Sequence, residues 1–332
     1  MCKRYLAVLV FVFIPIIAYN QSRTLHYYLD AGMKNSPLLK EFNNQLSSAL
    51  IDSLLIRSSK MPKVDARSQL LYSPAYKHFG YDEVITDGSN YEGIVGVSQT
   101  IFNKRDINNR FQSVNLQRQG VTNSTRISVA ELKRIITEQY LASYSDYNEL
   151  TYNKSFLEFA YKEGEIIHQF VARGLCKQTD YLALLIETQT QEILVNYLKA
   201  KYEKDMRQLN QVCGLDEAGF YVLTLPELSV SGMTEISKSP LFMQYRIDSL
   251  RIENEKEAVD ISYRPKINWF ADAGFLSSTP WNFYTHFGYS AGVSLTVPIY
   301  DGKQRDYEKK KLSLDENTRS TYESNFKNRF SQ

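Results

Sequence analysis

The sequence predicts an α+β chain that states one plan twice: long antiparallel helices joined to four β-strands arranged as two hairpins. Three observations carry that expectation. Short landmarks recur in the same order about 200 residues apart, the hydrophobic period switches from 3.6 to 2 at matching places, and no proline stands between Pro74 and Pro226.

The repetition comes first. Ser36-Pro37-Leu38-Leu39 returns as Ser239-Pro240-Leu241-Phe242, and Met61-Pro62-Lys63 returns as Arg264-Pro265-Lys266, both 203 residues on. The segment from Thr100 to Asp106 is matched by Pro298 to Asp306, with an offset of 198 and then 200 residues, so the copies differ by small insertions. The period is far too long for a solenoid, and the reading is a duplication.

Each copy opens with a helix. Ser36 and Ser239 suit the N-cap, and Pro37 and Pro240 the first helical position, where a missing N–H is harmless. Apolar residues follow at helical spacing: Ala49, Leu50, Ile51, Leu54 and Leu55 in copy one, then Ile247, Leu250, Ile252 and Val259 in copy two. Pro62 and Pro265 end these helices, because the residue before proline is pushed out of the helical region.

The period then becomes 2. Val64, Ala66, Ser68, Leu70 and Tyr72 share one face of a strand, and Lys63, Asp65, Arg67 and Gln69 the other. In copy two, Ile267, Trp269, Ala271, Ala273 and Phe275 oppose Lys266, Asn268, Asp272 and Gly274. Second strands are expected over Tyr91–Phe102 and Phe287–Ile299, with residues 73–90 and 276–286 as loops in which Gly80, Gly88, Pro280 and Asn282 suit turns. Such lengths match a tilted transmembrane strand, although a soluble sheet with one face on a core alternates identically.

Between the hairpins the chain reads as helix. One helix from about Lys104 to Ala172 would be on the order of 100 Å long. Its apolar positions Val129, Leu132, Ile135, Ile136 and Tyr140, then Phe156, Phe159, Ile166 and Phe170, are spaced to pack on other helices. Gly174 breaks it, and a second helix from near Thr179 to Val212 ends on Gly214 as a left-handed cap.

Composition excludes several classes. Lys+Arg 39 against Asp+Glu 37 gives a net charge of +2, which offers no basic patch for nucleic acid. The 24 tyrosines combine an apolar body with a polar tip, as a membrane interface favours. The four histidines, His26, His78, His168 and His286, share no metal-ligand spacing, and no phosphate loop or nucleophile elbow appears. Paired carboxylates such as Asp82-Glu83 read as solvated surface. The expectation is a protein with no catalytic residues, no metal and no cofactor.

Lys3 and Arg4 followed by the apolar run Leu6–Phe13 and then Ile16, Ile17 and Ala18 read as a secretory signal peptide over residues 1–18, too short for a confident span. Cys2 precedes that run and is not placed as a lipoprotein cysteine. The two cysteines left after cleavage, Cys176 and Cys213, would be roughly 55 Å apart along one helix. A disulfide needs Cα atoms within about 7 Å, so two free, buried thiols are expected.

Four strands cannot close a barrel, and their edges would be exposed in a lone chain. Closure by sister copies satisfies every backbone group, as lipid requires.

The arrangement resembles the TolC-like outer-membrane efflux protein family over nearly the whole chain. The residues that carry it are Asn35-Ser36-Pro37-Leu38-Leu39-Lys40, Pro62-Lys63-Val64, Gly174-Leu175 with Asp180-Tyr181-Leu182, Leu209-Asn210-Gln211-Val212-Cys213-Gly214, and Val297-Pro298-Ile299-Tyr300-Asp301-Gly302. The resemblance implies an α+β membrane protein: a homotrimer sharing one twelve-stranded β-barrel in outer-membrane lipid, with long helices forming a periplasmic tunnel. It implies a periplasmic adaptor and an inner-membrane RND or ABC pump as partners, and no nucleic acid. Lys63, Asp65, Arg67, Lys266, Asn268 and Asp272 would face the lumen, and Ile267, Trp269, Tyr289, Val293 and Leu295 the lipid. Pro62, Pro265 and Pro298 would mark the change from helix to barrel, and Arg173, Gly174 and Leu175 the adaptor-docking tip.

The expected divisions are residues 1–18 signal peptide, 19–62 first N-terminal helix, 63–102 first hairpin, 103–214 helical hairpin, 215–265 linker and second N-terminal helix, 266–300 second hairpin and 301–332 the start of a second helical hairpin. The second copy stops about 26 residues after Asp306, whereas the family expects there a counterpart of Lys104–Val212 bearing the aspartate ring of the periplasmic gate. No gate residues are therefore assigned. A different class remains open: an exported periplasmic coiled-coil spacer without channel activity.

Overall fold

The computed structural model describes residues 23–73, 88–101, 104–216, 221–227 and 235–331. The expected signal peptide and most of the loop containing Gly80 lie outside them. Six α-helices and four strands follow in order: α1 (Leu25–Asn35), α2 (Pro37–Ser58), β1 (Lys63–Ser73), β2 (Gly88–Ile101), α3 (Lys104–Ala172), α4 (Gln178–Val212), α5 (Pro240–Ser262), β3 (Lys266–Ser277), β4 (Phe287–Thr296) and α6 (Gln304–Phe330). They form two compact units, one from Met1–Pro37 with Val129–Ser231 and one from Leu38–Ser128 with Gly232–Gln332.

The first unit is helical. Its core gathers Tyr28 of α1, Ile136 and Tyr140 of α3, and Leu198, Tyr202, Met206 and Leu209 of α4, with Cys213 just beyond. Burying such side chains stabilises by about 1.5–3 kcal/mol each. The Tyr140 hydroxyl donates to the Thr224 carbonyl at 2.7 Å, so the phenol's polar tip is satisfied inside the core. The C-terminal ends of α3 and α4 show why glycine stands where it does. The Gly174 N–H bonds Val171 O and the Leu175 N–H bonds Phe170 O; the Gly214 N–H bonds Gln211 O and the Leu215 N–H bonds Asn210 O. These are Schellman closures, and φ is +74° at Gly174 and +63° at Gly214. Asn35 adds its side-chain amide to the carbonyls of Cys213 and Gly214, both at 3.1 Å.

The second unit joins a four-stranded antiparallel sheet, in the order β1-β2-β3-β4, to α2, the start of α3, α5 and α6. Asn109 of α3 and Asn254 of α5 are both buried, and the Asn109 amide donates to Asn254 O at 2.8 Å and Oδ1 at 3.0 Å. Asn123 donates to Pro240 O at 2.8 Å. On the other side of α5, Arg305 and Lys309 of α6 both reach Asp260, at 2.7 and 2.6 Å.

Several expectations need correction. The helix expected to open at Pro37 is α2, but a further helix, α1, precedes it and ends where Ser36, preceding a proline, is held at ψ 119°. The Ser239 hydroxyl makes no capping bond on α5, although Pro240 does occupy its first turn. β4 stops at Thr296, before Pro298, which has no N–H to offer a ladder. Both cysteines are free, but only Cys213 is buried; Cys176 lies half-exposed in the α3–α4 connection. Phe156, Phe159, Ile166 and Phe170 are exposed in the single chain, as are Leu50, Ile51, Leu54 and Leu55, while Ala49 is buried.

Candidate functional site: a two-faced sheet and a helical tip

The strand registers decide which side chains share a face. Lys63 pairs with Ser98, Asp65 with Gly96 and Arg67 with Ile94. Gly96 in turn pairs with Asp272, and Thr100 with Asn268. Asp272 pairs with Ser290, and Lys266 with Thr296. Directly opposed residues project to the same side of a sheet. Lys63, Asp65, Arg67, Lys266, Asn268 and Asp272 therefore stand together on one face, across all of β1–β4. Their neighbours there include Arg67 bonded to Glu92 at 2.6 Å and Ser290 donating to Asp272 at 2.6 Å.

The other face is apolar. Ile267 pairs with Leu295, Trp269 with Val293 and Ala273 with Tyr289. Val64 pairs with Val97, and Leu70 with Tyr91. This surface is left open in the single chain: Tyr289 is 90% exposed, Val293 71%, Leu70 77% and Tyr72 76%. Phe275, Phe283 and Phe287 cluster with ring centroids 5.5 and 5.3 Å apart. Among the described residues β1 and β4 each pair along one edge only.

Three residues of this site escaped sequence reasoning. Glu92 and Gln99 lie in β2, whose register the alternation of single residues does not fix. The Trp269 indole donates to Gln99 Oε1 at 2.9 Å, and the Gln99 amide donates to the Lys60 carbonyl at 2.5 Å, tying the strands to the end of α2. Phe270 sits on the polar face, which it shares with Ile94, and lies over Gly292, where its ring covers the backbone that a side chain would fill. The alternation itself marked position 270 as belonging with Asn268 and Asp272.

Pro62 and Pro265 immediately precede β1 and β3, and Pro298 follows β4 by one residue, so all three lie at the end of the sheet where the helices begin and end. There, Asp301 accepts from the N–H groups of Lys303 and Arg305 at 2.9 and 2.8 Å, which holds its carboxyl below the usual range. Lys303 itself adopts φ +69°.

Arg173, Gly174 and Leu175 belong to the other unit. They form the exposed turn between α3 and α4, where Leu175 is 69% exposed and no atom lies within 4 Å of a side chain built at Gly174. Behind the turn His168 packs on Tyr181 with ring centroids 5.1 Å apart. Among the described residues no three His, Cys, Asp or Glu side chains come together to hold a metal. No described helix is long and apolar enough to cross a membrane.

No family model matches the chain, and no curated protein sequence matches it. Solved structures do. The fold is similar to that of a membrane protein from Pseudomonas aeruginosa, at a TM-score of 0.70 and 14% identity over 92% of this chain and 74% of that one. It is similar to the Campylobacter jejuni CmeC outer membrane channel, at a TM-score of 0.68 and 12% identity over 91% and 67%. The open-state Neisseria gonorrhoeae MtrE outer membrane channel gives 0.67 and 12% over 92% and 71%. The chain thus shares the fold of these outer membrane channels, and the resemblance read in the sequence holds at the level of fold.

Proposed function

We propose that the chain is a subunit of an outer-membrane efflux or secretion channel that assembles as a homotrimer and conducts passively. The observation that carries this reading is the sheet: one largely exposed apolar face, one polar face and, among the described residues, two edges without a partner. In water such a surface is a template for aggregation. In lipid, an open edge is intolerable, because each unpaired backbone group costs several kcal/mol. Three copies joined β4 to β1 would pair every edge in a twelve-stranded barrel, with Lys63, Asp65, Arg67, Lys266, Asn268 and Asp272 lining water and Ile267, Trp269, Tyr289, Val293 and Leu295 meeting lipid.

On this reading the helices extend into the periplasm, and the exposed Arg173-Gly174-Leu175 turn docks a periplasmic adaptor that links the channel to an inner-membrane RND or ABC pump. The likeness to CmeC and MtrE supports the channel; the exposure of Leu175 supports the docking. Energy for transport comes from the pump, so the channel itself calls for no catalytic group, metal or cofactor.

The test is membrane fractionation followed by reconstitution. The full chain should sediment with outer membrane, run as a trimer on native gels in detergent, and give discrete conductance steps in planar bilayers. Recovery as a monomer in the soluble periplasmic fraction would instead identify a spacer and sink the channel reading. For the tip, Leu175→Asp should abolish efflux while leaving the trimer and its conductance intact.

A further inference from the structure

At the end of the sheet where the helices begin, the apolar face gives way to a cavity of about 690 Å³. Ile101, Gln99 and Trp269 form its upper wall, Ile107 and Phe111 of α3 its lower wall, and Lys60 and Lys104 stand at its sides. The register places Trp269 beside Gln99 and Ile101 beside Ile267, so the upper wall is continuous with the apolar surface that runs on to Val293 and Leu295. No acidic side chain lines the cavity. Among the described residues neither lysine forms an ion pair, whereas their neighbours Arg105 and Arg110 are matched to Glu257 and Asp106. The backbone of Lys60 is also held, because its carbonyl accepts the Gln99 amide, whose oxygen in turn accepts the Trp269 indole N–H.

Two uncompensated ammonium groups beside a hydrogen-bonded indole, at the boundary of an apolar sheet face, suit one kind of occupant. We infer that this cavity holds the phosphate headgroup of an anionic glycerophospholipid, with its acyl chains lying along Ile101, Ile267 and Leu295. The chemistry is that of interfacial recognition: lysine stems cover apolar surface while their charges reach the phosphate, and an indole sits at headgroup depth. Each lysine near an anionic lipid surface contributes attraction that falls with salt. A bound headgroup would neutralise the local charge and shield the junction of Trp269 and Lys60. The inference rests on the membrane reading above, since the acyl chains need the exposed face of β3 and β4 to be lipid-facing.

The experiment uses the full chain in detergent, with phosphatidylglycerol added and retained lipid counted by native mass spectrometry. The unaltered protein should keep phosphatidylglycerol in preference to phosphatidylcholine. Lys60→Ala with Lys104→Ala should weaken that retention by about tenfold or more, and Lys60→Arg with Lys104→Arg should keep it. Trp269→Phe, which keeps an aromatic ring but loses the bond to Gln99, should weaken it several-fold. Equal retention by the double alanine variant overturns the site, as does displacement of the lipid by millimolar inorganic phosphate. A protein that stays soluble without detergent and takes up no lipid at all fails the membrane reading instead, and the two failures are told apart by that first step.

Discussion

Gly214 and Gly174 end helices with the same backbone hydrogen bonds, yet their surroundings differ. A side chain at either position must adopt positive φ, which costs roughly 1–2 kcal/mol for a residue with a Cβ. At Gly174 that is the whole effect, since the added carbon meets open space; at Gly214 it would come within 2.9 Å of Asn35 Cβ, the residue that bonds the last carbonyls of α4. Gly214→Ala should therefore lower the thermal midpoint, followed by circular dichroism, clearly further than Gly174→Ala. An equal shift would show that Asn35 contributes nothing to this closure. The neighbouring thiol gives a second residue-scale prediction. Burial pushes Cys213 up to about 12, so at pH 8 its reactive thiolate is scarce, and the side chain is also closed to reagent. Maleimide at pH 8 should modify Cys176 within minutes and leave Cys213 untouched until the protein is denatured, as peptide mapping would read. Rapid native modification of Cys213 would contradict the burial.

The joint between α3 and α5 turns on one polar pair. Asn109 donates to both the backbone and side-chain oxygens of Asn254 in a buried setting, and because the backbone oxygen keeps its partner within the helix, Asn109→Ala leaves chiefly the buried Asn254 Oδ1 without its donor. Such a loss costs about 1–3 kcal/mol, against about 0.5 kcal/mol or less for a change at an exposed position such as Gln117→Ala on the same helix. Chemical denaturation of the two variants would measure the gap. In the sheet the sensitive position is Gly274, where an added Cβ would run into the backbone of Gly93 and Ile94, so Gly274→Val should prevent β2–β3 pairing and abolish assembly. These elements differ in how far they could be read beforehand. The strands were legible because a period of 2 with small polar residues on one side leaves few other choices, and the face assignments of Asp65, Asp272, Trp269 and Val293 follow from it. The glycine caps were legible because a left-handed residue has few candidates. The Asn109–Asn254 pair was not, since asparagine on a helix looks the same whether it meets water or another helix. Nor could periodicity say that Ile51 and Leu55 lack a partner within the chain: apolar spacing marks a face that will be covered, and not by what.

At the scale of the whole molecule, the duplication itself suggests what covers that face. Lys63 pairs with Ser98 and Lys266 with Thr296, so the two hairpins superpose with α2 matched to α5 at 203 residues and their second strands at 198. α5 is covered on two sides: α6 bonds it through Asp260, and α3 bonds it through Asn254 and Pro240. On its counterpart α2 the positions matching Asn254 and Ala258 are Ile51 and Leu55, 57% and 60% exposed. Uncovered apolar side chains also stand on α6, where Tyr307 and Leu314, two turns apart, are 65% and 58% exposed. One uncovered face of each kind per chain is what a closed ring of identical subunits requires, because a head-to-tail contact uses each face once and leaves none over. In the proposed trimer, α6 of one subunit should then lie on α2 of the next, with Tyr307 and Leu314 against Ile51 and Leu55. Tyr307→Cys combined with Ile51→Cys, in a chain carrying Cys176→Ser, should give covalent dimers and trimers on oxidation in membranes, reversed by reductant, while either cysteine alone gives none. If the paired variant stays monomeric on denaturing gels although the unaltered protein is trimeric on native ones, α6 does not meet α2, and the subunits close by some other contact.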